Sequence, residues 1–158
     1  MRKFAMLAAV AAAAMLAAPA PAHAEWYAGA GYTNFDYDGG DVDAITGRLG
    51  YRMGPNFAVE GEASTDLDDG AVELNHNAGI YAVGILPVGG NFDVHGRIGY
   101  QASEISTPLG DVDDDGIGYG VGATWRVTQG FGIRADYTRL DGDEAESDAV
   151  SIGGVVNF

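Results

Sequence analysis

The chain contains no cysteine, a single lysine and no long hydrophobic run. Without cysteine it forms no disulfide, and it lacks the residue through which lipoproteins carry their lipid anchor. Its 8 basic residues are outnumbered by 23 acidic ones, which argues against nucleic-acid binding because phosphate contacts need lysine and arginine. The longest apolar run, residues 4–18, is shorter than the roughly twenty residues of a transmembrane helix.

The first 24 residues have the composition of a secretory signal peptide. Two basic residues precede the apolar run, two prolines follow it, and residues 22–24 (Ala-His-Ala) supply the small-any-small pattern of a signal peptidase site. We therefore expect residues 1–24 to be removed and residues 25–158 to fold as one domain. A membrane anchor or an amphipathic helix that is not removed is the alternative interpretation.

Beyond the signal peptide the chain alternates apolar and polar residues with a period of two, and no segment has a helical period. Eight runs of about ten residues each show this alternation. They are 25–35, 42–53, 57–67, 74–86, 91–104, 117–127, 131–140 and 149–158. The fourth run is ambiguous, since both of its faces are apolar. The pattern predicts an all-β domain, but a soluble sandwich and a membrane barrel share it.

The connections between these runs favour the membrane barrel. The short ones, 53–56, 87–91 and 128–130, contain no acidic residue. The long ones alternate with them and together hold 17 of the 23 acidic residues; they are 36–43, 66–73, 106–116 and 141–148. Short periplasmic turns and longer outer loops are typical of outer-membrane barrels. Nothing in a soluble sandwich would place the acidic connections at one end and the neutral ones at the other.

Glycines and aromatic residues are also unevenly distributed between the two faces of the predicted strands. The polar face is rich in glycine, which makes room for larger neighbours inside a narrow barrel. These glycines are Gly29, Gly31, Gly118, Gly120, Gly122, Gly132 and Gly153. Aromatic residues at the strand ends of the apolar face form two girdles, as expected at two lipid–water interfaces. Trp26, Tyr51, Phe57, Phe92, Trp125, Phe131 and Phe158 border the neutral connections, and Tyr32, Tyr100, Tyr119 and Tyr137 lie toward the acidic ones. We predict an eight-stranded antiparallel up-and-down transmembrane β-barrel.

The C-terminal residues resemble the signal by which outer-membrane barrels are recognised for insertion. Four residues fit this β-signal: Ser151, Gly153, Val156 and Phe158. Residues 25–32 and 92–100 likewise resemble the first and fifth strands of the OmpA-type transmembrane domain and related small, porin-family outer-membrane proteins. The resemblance implies a monomer in the outer membrane of a Gram-negative bacterium, inserted by the barrel-assembly machinery. Because no residues follow Phe158, we expect no periplasmic peptidoglycan-binding domain.

The charges carried by the predicted strands fall on the polar, lumen-facing side. They are Arg48, Arg52, Glu60, Glu62, Asp93, Arg97, Arg126, Arg134 and Asp136. Because arginine pairs with carboxylates in planar, bidentate geometry, we expect an ionic network that fills the lumen. The resemblance implies that Glu60 with Arg97 or Arg134 occupies the position of an ionic gating pair. Permanently paired core ions are the alternative interpretation.

No catalytic, cofactor or metal site is predicted. Residues 111–116 follow the Asp-x-Asp-x-Asp-Gly opening of a calcium loop, but the twelfth position is Gly122 and not the required glutamate. Solvated acidic loops, or weak Ca²⁺ or Mg²⁺ bridging to anionic lipid, are expected instead. His76 lies near the second acidic connection, but Ala78 stands where the deacylase pattern of some small barrels has serine.

Three function classes remain open. The first is a structural or surface-interaction barrel that contacts outer-membrane lipid and presents acidic loops outside. The second is a narrow, porin-like channel for small solutes, although eight strands leave an interior just filled by side chains. The third is a lipid-modifying enzyme, for which the sequence offers the least support.

Overall fold

Seven of the eight strands are longer than the apolar pattern indicates, and β3 is one residue shorter. The computed structural model describes residues 24–37, 40–66, 73–107, 110–142 and 146–158, except for the side chains of residues 24, 37, 66, 73–76 and 103–114. The predicted signal peptide, apart from its last residue, lies outside these ranges. The strands are β1 (Ala24–Tyr37), β2 (Gly40–Met53), β3 (Phe57–Asp66), β4 (Glu73–Pro87), β5 (Phe92–Thr107), β6 (Gly110–Arg126), β7 (Phe131–Gly142) and β8 (Glu146–Asn157).

Each strand pairs antiparallel with the next, and β8 pairs with β1 to close the barrel. The closure is completed by two backbone hydrogen bonds between Trp26 and Phe158, at 2.9 and 3.2 Å. The predicted eight-stranded, antiparallel up-and-down barrel is confirmed. No helix within the described ranges is long and apolar enough to cross a membrane.

The described parts of the predicted acidic loops are paired strands, although most of the second loop, residues 67–72, lies outside the described residues. β1 and β2 stay in register up to Tyr37 and Gly40, and β5 and β6 up to Thr107 and Gly110. The sequence places the sixth strand at 117–127, seven residues short of its true beginning. Apolar and polar residues alternate only where one face of a strand meets lipid and the other meets the lumen. Backbone pairing continues beyond that part of the strand into water, where both faces are polar. Short turns occupy the opposite rim, at 54–56, 88–91 and 127–130. We call these ends the acidic rim and the short-turn rim.

The apolar face points outward. Residues such as Ile98, Val121 and Val150 are more than half exposed, as suits a lipid-facing wall. The ambiguous fourth strand directs Tyr81 and Val83 inward, where they are buried, and Leu86 outward, where it is 61% exposed.

The interior is layered. An apolar cluster lies toward the short-turn rim, built from Tyr27, Ala58, Tyr81, Val83, Ile85 and Val155. A second lies toward the acidic rim, built from Phe35, Ala44, Leu140 and Ala149. The charged residues lie between and beside these clusters.

Glycine provides the space that the large inward side chains need. A Cβ at Gly50 would lie 2.0 Å from the Tyr27 ring, and one at Gly122 would lie 2.5 Å from Nε2 of His95 and 2.6 Å from Oδ1 of Asp136. The glycine-lined polar face is therefore the inner wall of a filled lumen.

Candidate functional site

The candidate site is the set of charged side chains inside the barrel. They come from β2, β3, β5, β6 and β7, and strand alternation turns all of them inward. The central members, which we call the lumen network, are three arginines and three carboxylates: Arg48, Arg97, Arg134, Glu60, Glu62 and Asp136. Their formal charges cancel, so the layer is neutral as a whole.

Glu60 is fully buried at 0% exposure. Its Oε2 accepts hydrogen bonds from Nη1 of Arg134 at 2.6 Å and from the hydroxyl of Tyr27 at 2.7 Å. Nη2 of Arg134 donates to the other oxygen at 3.3 Å, and Nη1 of Arg97 lies 3.6 Å from that same oxygen. Glu60 is therefore held mainly by Arg134, with Arg97 within ion-pair distance.

Asp136 accepts from three side chains. Nη1 of Arg48 donates to Oδ2 at 2.5 Å, and Nε of Arg134 donates to the same oxygen at 2.9 Å. Nε2 of His95 lies 2.6 Å from Oδ1, which Nη2 of Arg134 also reaches at 3.0 Å. Arg134 thus bridges the two buried carboxylates, Glu60 and Asp136, through separate edges of its guanidinium, the geometry in which arginine binds carboxylates best.

Glu62 completes the layer. Its Oε2 accepts from Nη1 of Arg97 at 2.9 Å and lies 3.3 Å from Nη2 of Arg48. The Arg97 guanidinium carbon lies 3.7 Å from the centroid of the Tyr81 ring, within cation–π distance. The Tyr81 hydroxyl in turn donates to Gln101. The network therefore reaches from wall to wall of the lumen.

A second, smaller group lies toward the short-turn rim. Nη1 of Arg126 donates to Oδ2 of Asp93 at 2.9 Å, and Nη2 of Arg52 lies 3.9 Å from that atom. Of the nine charged residues predicted from sequence to face the lumen, six form the central layer. The other three, Arg52, Asp93 and Arg126, form this separate group instead.

The sequence places His95 in the lumen, paired with Asp93 or a glutamate, and the structure pairs it with Asp136 instead. Two inward residues that contribute to the site were not singled out from sequence: Tyr27 binds Glu60, and Tyr81 lies under Arg97. The alternation carries a signal for Tyr27, which shares the inward face of β1 with glycines. It carries none for Tyr81, because both faces of β4 are apolar.

The packed interior leaves two small voids. One, of about 30 Å³, is lined by Asp93, His95 and Arg134 among others, and the other, of about 10 Å³, by Glu62, Arg97 and Gln101 among others. The larger void has room for about two water molecules and the smaller for about one. Four buried polar atoms have no hydrogen-bond partner within the described residues: Arg52 Nε, Asp93 Oδ1, Arg97 Nε and Arg97 Nη2. Among the described residues, the side chains of the network and these voids fill the middle of the lumen, with space for a few waters.

The residues of the predicted insertion signal lie on or beside β8. Ser151 faces inward and accepts from Nη2 of Arg48 at 3.3 Å, and Gly153 faces inward beside β1. Val156 and Phe158 face outward and are 49% and 71% exposed. The two hydrophobic residues are therefore on the side that lipid or an assembly factor meets.

The remaining candidates do not form a site in the described part of the chain. The side chain of His76 lies outside the described residues, as do those of residues 111–114. The backbone of residues 111–116 is part of β6, and an extended strand does not wind around an ion as a calcium loop does. No group of three or more histidine, aspartate or glutamate side chains suited to a metal ion occurs among the described residues.

Comparison with known proteins gives a family match and a set of similar folds. Residues 5–158 match the family described as outer membrane protein beta-barrel domain. No curated protein sequence matches the chain.

The similar solved structures are small barrels. The N-terminal β-barrel domain of Pseudomonas aeruginosa OprF is 16% identical, with a TM-score of 0.69, over 84% of this chain and 97% of that one. Ail of Yersinia pestis, in complex with the heparin analogue sucrose octasulfate, is 14% identical, with a TM-score of 0.61, over 85% and 97%. Neisserial surface protein A is 19% identical, with a TM-score of 0.59, over 85% and 97%. At these identities the likenesses show the fold alone.

Proposed function

Because the chain belongs to the family of outer membrane protein β-barrel domains, we propose that it is a closed barrel with a structural and surface-facing role. In this proposal it lies as a monomer in the outer membrane of a Gram-negative bacterium, where the barrel-assembly machinery inserts it. Lipid surrounds its apolar wall, and the acidic hairpins project outside. It has no catalytic role.

One observation carries this proposal: the lumen network crosses the interior from wall to wall. Glu60, Arg134 and Asp136 are all buried and hydrogen-bonded to one another. Removing one member of such a group leaves a buried charge unpaired, at a cost of about 3–5 kcal/mol. A layer that is this costly to disturb supports a permanent plug rather than an open pore.

Swelling of proteoliposomes in isotonic solutions of small sugars and amino acids tests the proposal. We expect vesicles that contain the folded protein to swell no faster than protein-free vesicles. Vesicles containing a general porin serve as the positive control. Swelling that increases with the amount of folded protein would contradict a closed barrel.

A narrow channel is the second candidate, and the position of Glu60 favours it. Its carboxylate is bound to Arg134 at 2.6 Å and has Arg97 only 3.6 Å away. Exchange of partners would require a movement of about 1 Å. Under this candidate Arg134→Gln, which leaves Glu60 to Arg97, changes solute flux, whereas under the closed-barrel proposal it changes stability alone.

The acidic hairpins are the surface through which the protein would meet partners outside. We propose weak binding of Ca²⁺ or Mg²⁺ there, bridging carboxylates to anionic lipid. Ail was solved with a heparin analogue, but a polyanion does not suit hairpins with so many carboxylates. Calorimetry with millimolar Ca²⁺ tests the ion binding, and the absence of heat would contradict it.

Lipid modification is the least supported alternative. His95 lies inside the barrel and is bound to Asp136 at 2.6 Å, away from the outer-leaflet lipid that such an enzyme must reach. Lipid analysis of a deletion strain tests this alternative, and a changed lipid A acylation pattern would favour it.

A further inference from the structure

The larger void, toward the short-turn rim, has more positive than negative charge in its lining. Five of the residues around it are Arg52, Asp93, His95, Arg126 and Arg134. Arg134 belongs to the lumen network, whose formal charges cancel, and His95 adds no negative charge. Arg52 and Arg126 then share one carboxylate, that of Asp93, which lies 3.9 Å from the first guanidinium and 2.9 Å from the second. One positive charge of the lining is therefore left without a carboxylate of its own.

The other carboxylate near this end of the barrel does not balance that charge from within. Glu25 lies opposite Arg52 in the register of β1 and β2, but its side chain is exposed and is not part of the lining of the void. Water and salt screen such a charge far more than they screen that of Asp93, whose side chain is 2% exposed.

Two buried polar atoms of the same lining have no hydrogen-bond partner within the described residues. One is Nε of Arg52, which is a donor, and the other is Oδ1 of Asp93, which is an acceptor. A buried donor or acceptor that stays unpaired is costly. The occupant of this void must therefore accept a hydrogen bond from Arg52 and donate one to Asp93.

The smaller void makes a weaker demand. It lies beside Arg97, whose Nε and Nη2 also have no partner within the described residues. Two carboxylates already balance this guanidinium, because Glu60 and Glu62 lie 3.6 and 2.9 Å from its Nη1. A neutral water molecule satisfies that void, whereas the larger one has a charge to balance as well.

The size and the polar groups of the larger void define what it can bind. Space for about two water molecules admits a ligand of about four non-hydrogen atoms. One negative charge balances the lining, planar oxygens suit the guanidinium of an arginine, and a hydroxyl group satisfies Oδ1 of Asp93. We propose that this void binds a small oxyanion that carries a hydroxyl group, and that the ligand is bicarbonate. Inorganic phosphate offers the same groups on a larger, tetrahedral frame.

The bound anion joins three strands at the short-turn rim. Arg52 comes from β2, Asp93 from β5 and Arg126 from β6, so a ligand that contacts all three closes the base of the lumen beneath the network. Under the proposed orientation this base faces the periplasm. That orientation rests on the proposed function, but the binding site itself does not.

Carbon-13 NMR of labelled bicarbonate tests the binding directly. The folded wild-type protein in detergent micelles is added at mildly alkaline pH and constant ionic strength. We expect the bicarbonate line to broaden in proportion to the folded protein and to stay narrow when the protein has been heat-denatured. No broadening by the folded protein would overturn the proposal, leave water as the occupant of the void and have no bearing on the closed-barrel function.

Competition with unlabelled anions identifies the ligand. Nitrate matches bicarbonate in charge, planarity and number of non-hydrogen atoms but has no hydroxyl group, so we expect it to relieve the broadening severalfold less than unlabelled bicarbonate does. Inorganic phosphate should also compete severalfold more weakly, because it is larger. Equal or stronger competition by nitrate would refute the hydrogen bond to Asp93, and equal or stronger competition by phosphate would refute the assignment to bicarbonate.

Two variants and a control locate the site. Arg52→Gln removes both the unpaired donor and the surplus charge, so the broadening should fall severalfold. Arg139→Gln removes an arginine that is exposed on the outer face and should leave the broadening unchanged. Asp93→Asn places an amide donor beside the ligand, so nitrate should then compete as well as unlabelled bicarbonate.

Equal broadening in Arg52→Gln and Arg139→Gln would place the bound anion elsewhere and overturn the proposal, as would an unchanged preference for bicarbonate over nitrate in Asp93→Asn. If Arg52→Gln or Asp93→Asn does not fold, the comparison of bicarbonate with nitrate in the wild-type protein still decides the proposal.

Discussion

Arg134→Gln is the substitution that most sharply tests the lumen network. Arg134 donates to Glu60 at 2.6 Å and to Asp136 at 2.9 Å, and both carboxylates are buried. Glutamine is shorter and uncharged, so the central layer changes from neutral to one net negative charge. Breaking a buried ion pair by removing one partner costs about 3–5 kcal/mol. We expect a loss of that size in the free energy of unfolding.

Urea unfolding in lipid vesicles, followed by tryptophan fluorescence and by heat-modifiable gel mobility, measures this loss. Arg139→Gln is the matched control, because Arg139 pairs with Glu146 at 2.7 Å on the exposed outer face. That control should leave the unfolding midpoint nearly unchanged, since exposed ion pairs add little.

The double variant Glu60→Gln, Arg134→Gln separates charge from packing. It removes one charge of each sign, so we expect it to recover a substantial part of the stability that Arg134→Gln loses. Contacting residues show coupling of this kind in double-mutant cycles. The reasoning would be refuted if Arg134→Gln and Arg139→Gln had equally small effects, or if the two lumen substitutions were simply additive.

Three further results follow from the same structure. Gly122→Ala places a methyl group 2.5 Å from Nε2 of His95 and should lower the free energy of unfolding by about 1–3 kcal/mol through overpacking. The control is Gly96→Ala, whose Cβ meets one atom at 3.9 Å and which should be nearly neutral. Equal effects of the two variants in urea unfolding would contradict the inward packing of glycine. Phe158→Ser should slow assembly into the outer membrane in pulse-chase experiments without preventing refolding in detergent, and unchanged assembly would remove it from the insertion signal. N-terminal sequencing of the protein from outer membranes should begin at Glu25, and a start at Met1 would contradict signal cleavage.

The strand number and the orientation of the faces could be predicted because lipid and lumen differ in polarity along the entire apolar band. Val121 and Trp125 must face lipid, and Gly118, Gly120 and Gly122 must face inward, so the sequence of β6 alternates with a period of two. Strand ends could not be predicted in the same way. Beyond Ile117 toward the acidic rim both faces meet water, and the pairing of Gly110 with Thr107 leaves no apolar signal.

The inward charges could be predicted, but their pairing could not. Glu60 and Arg134 are 74 residues apart and meet only because the closed barrel brings β3 and β7 to opposite sides of one narrow lumen. Which arginine reaches which carboxylate depends on the stagger of the strands, and no local pattern carries that information. The orientation of Tyr81 was likewise decided by the space that glycine leaves around its ring, since a Cβ at Gly99 would lie 2.7 Å from it.

The most direct test of a closed, charge-filled barrel is the ionic conductance of the folded wild-type protein in a planar bilayer. Because the described residues leave voids of about 30 and 10 Å³ beside the network, we expect insertion to leave the current at the level of the bare bilayer over the whole voltage range. Long-lived, uniform current steps that appear with the folded protein and vanish when it is heat-denatured would contradict the account.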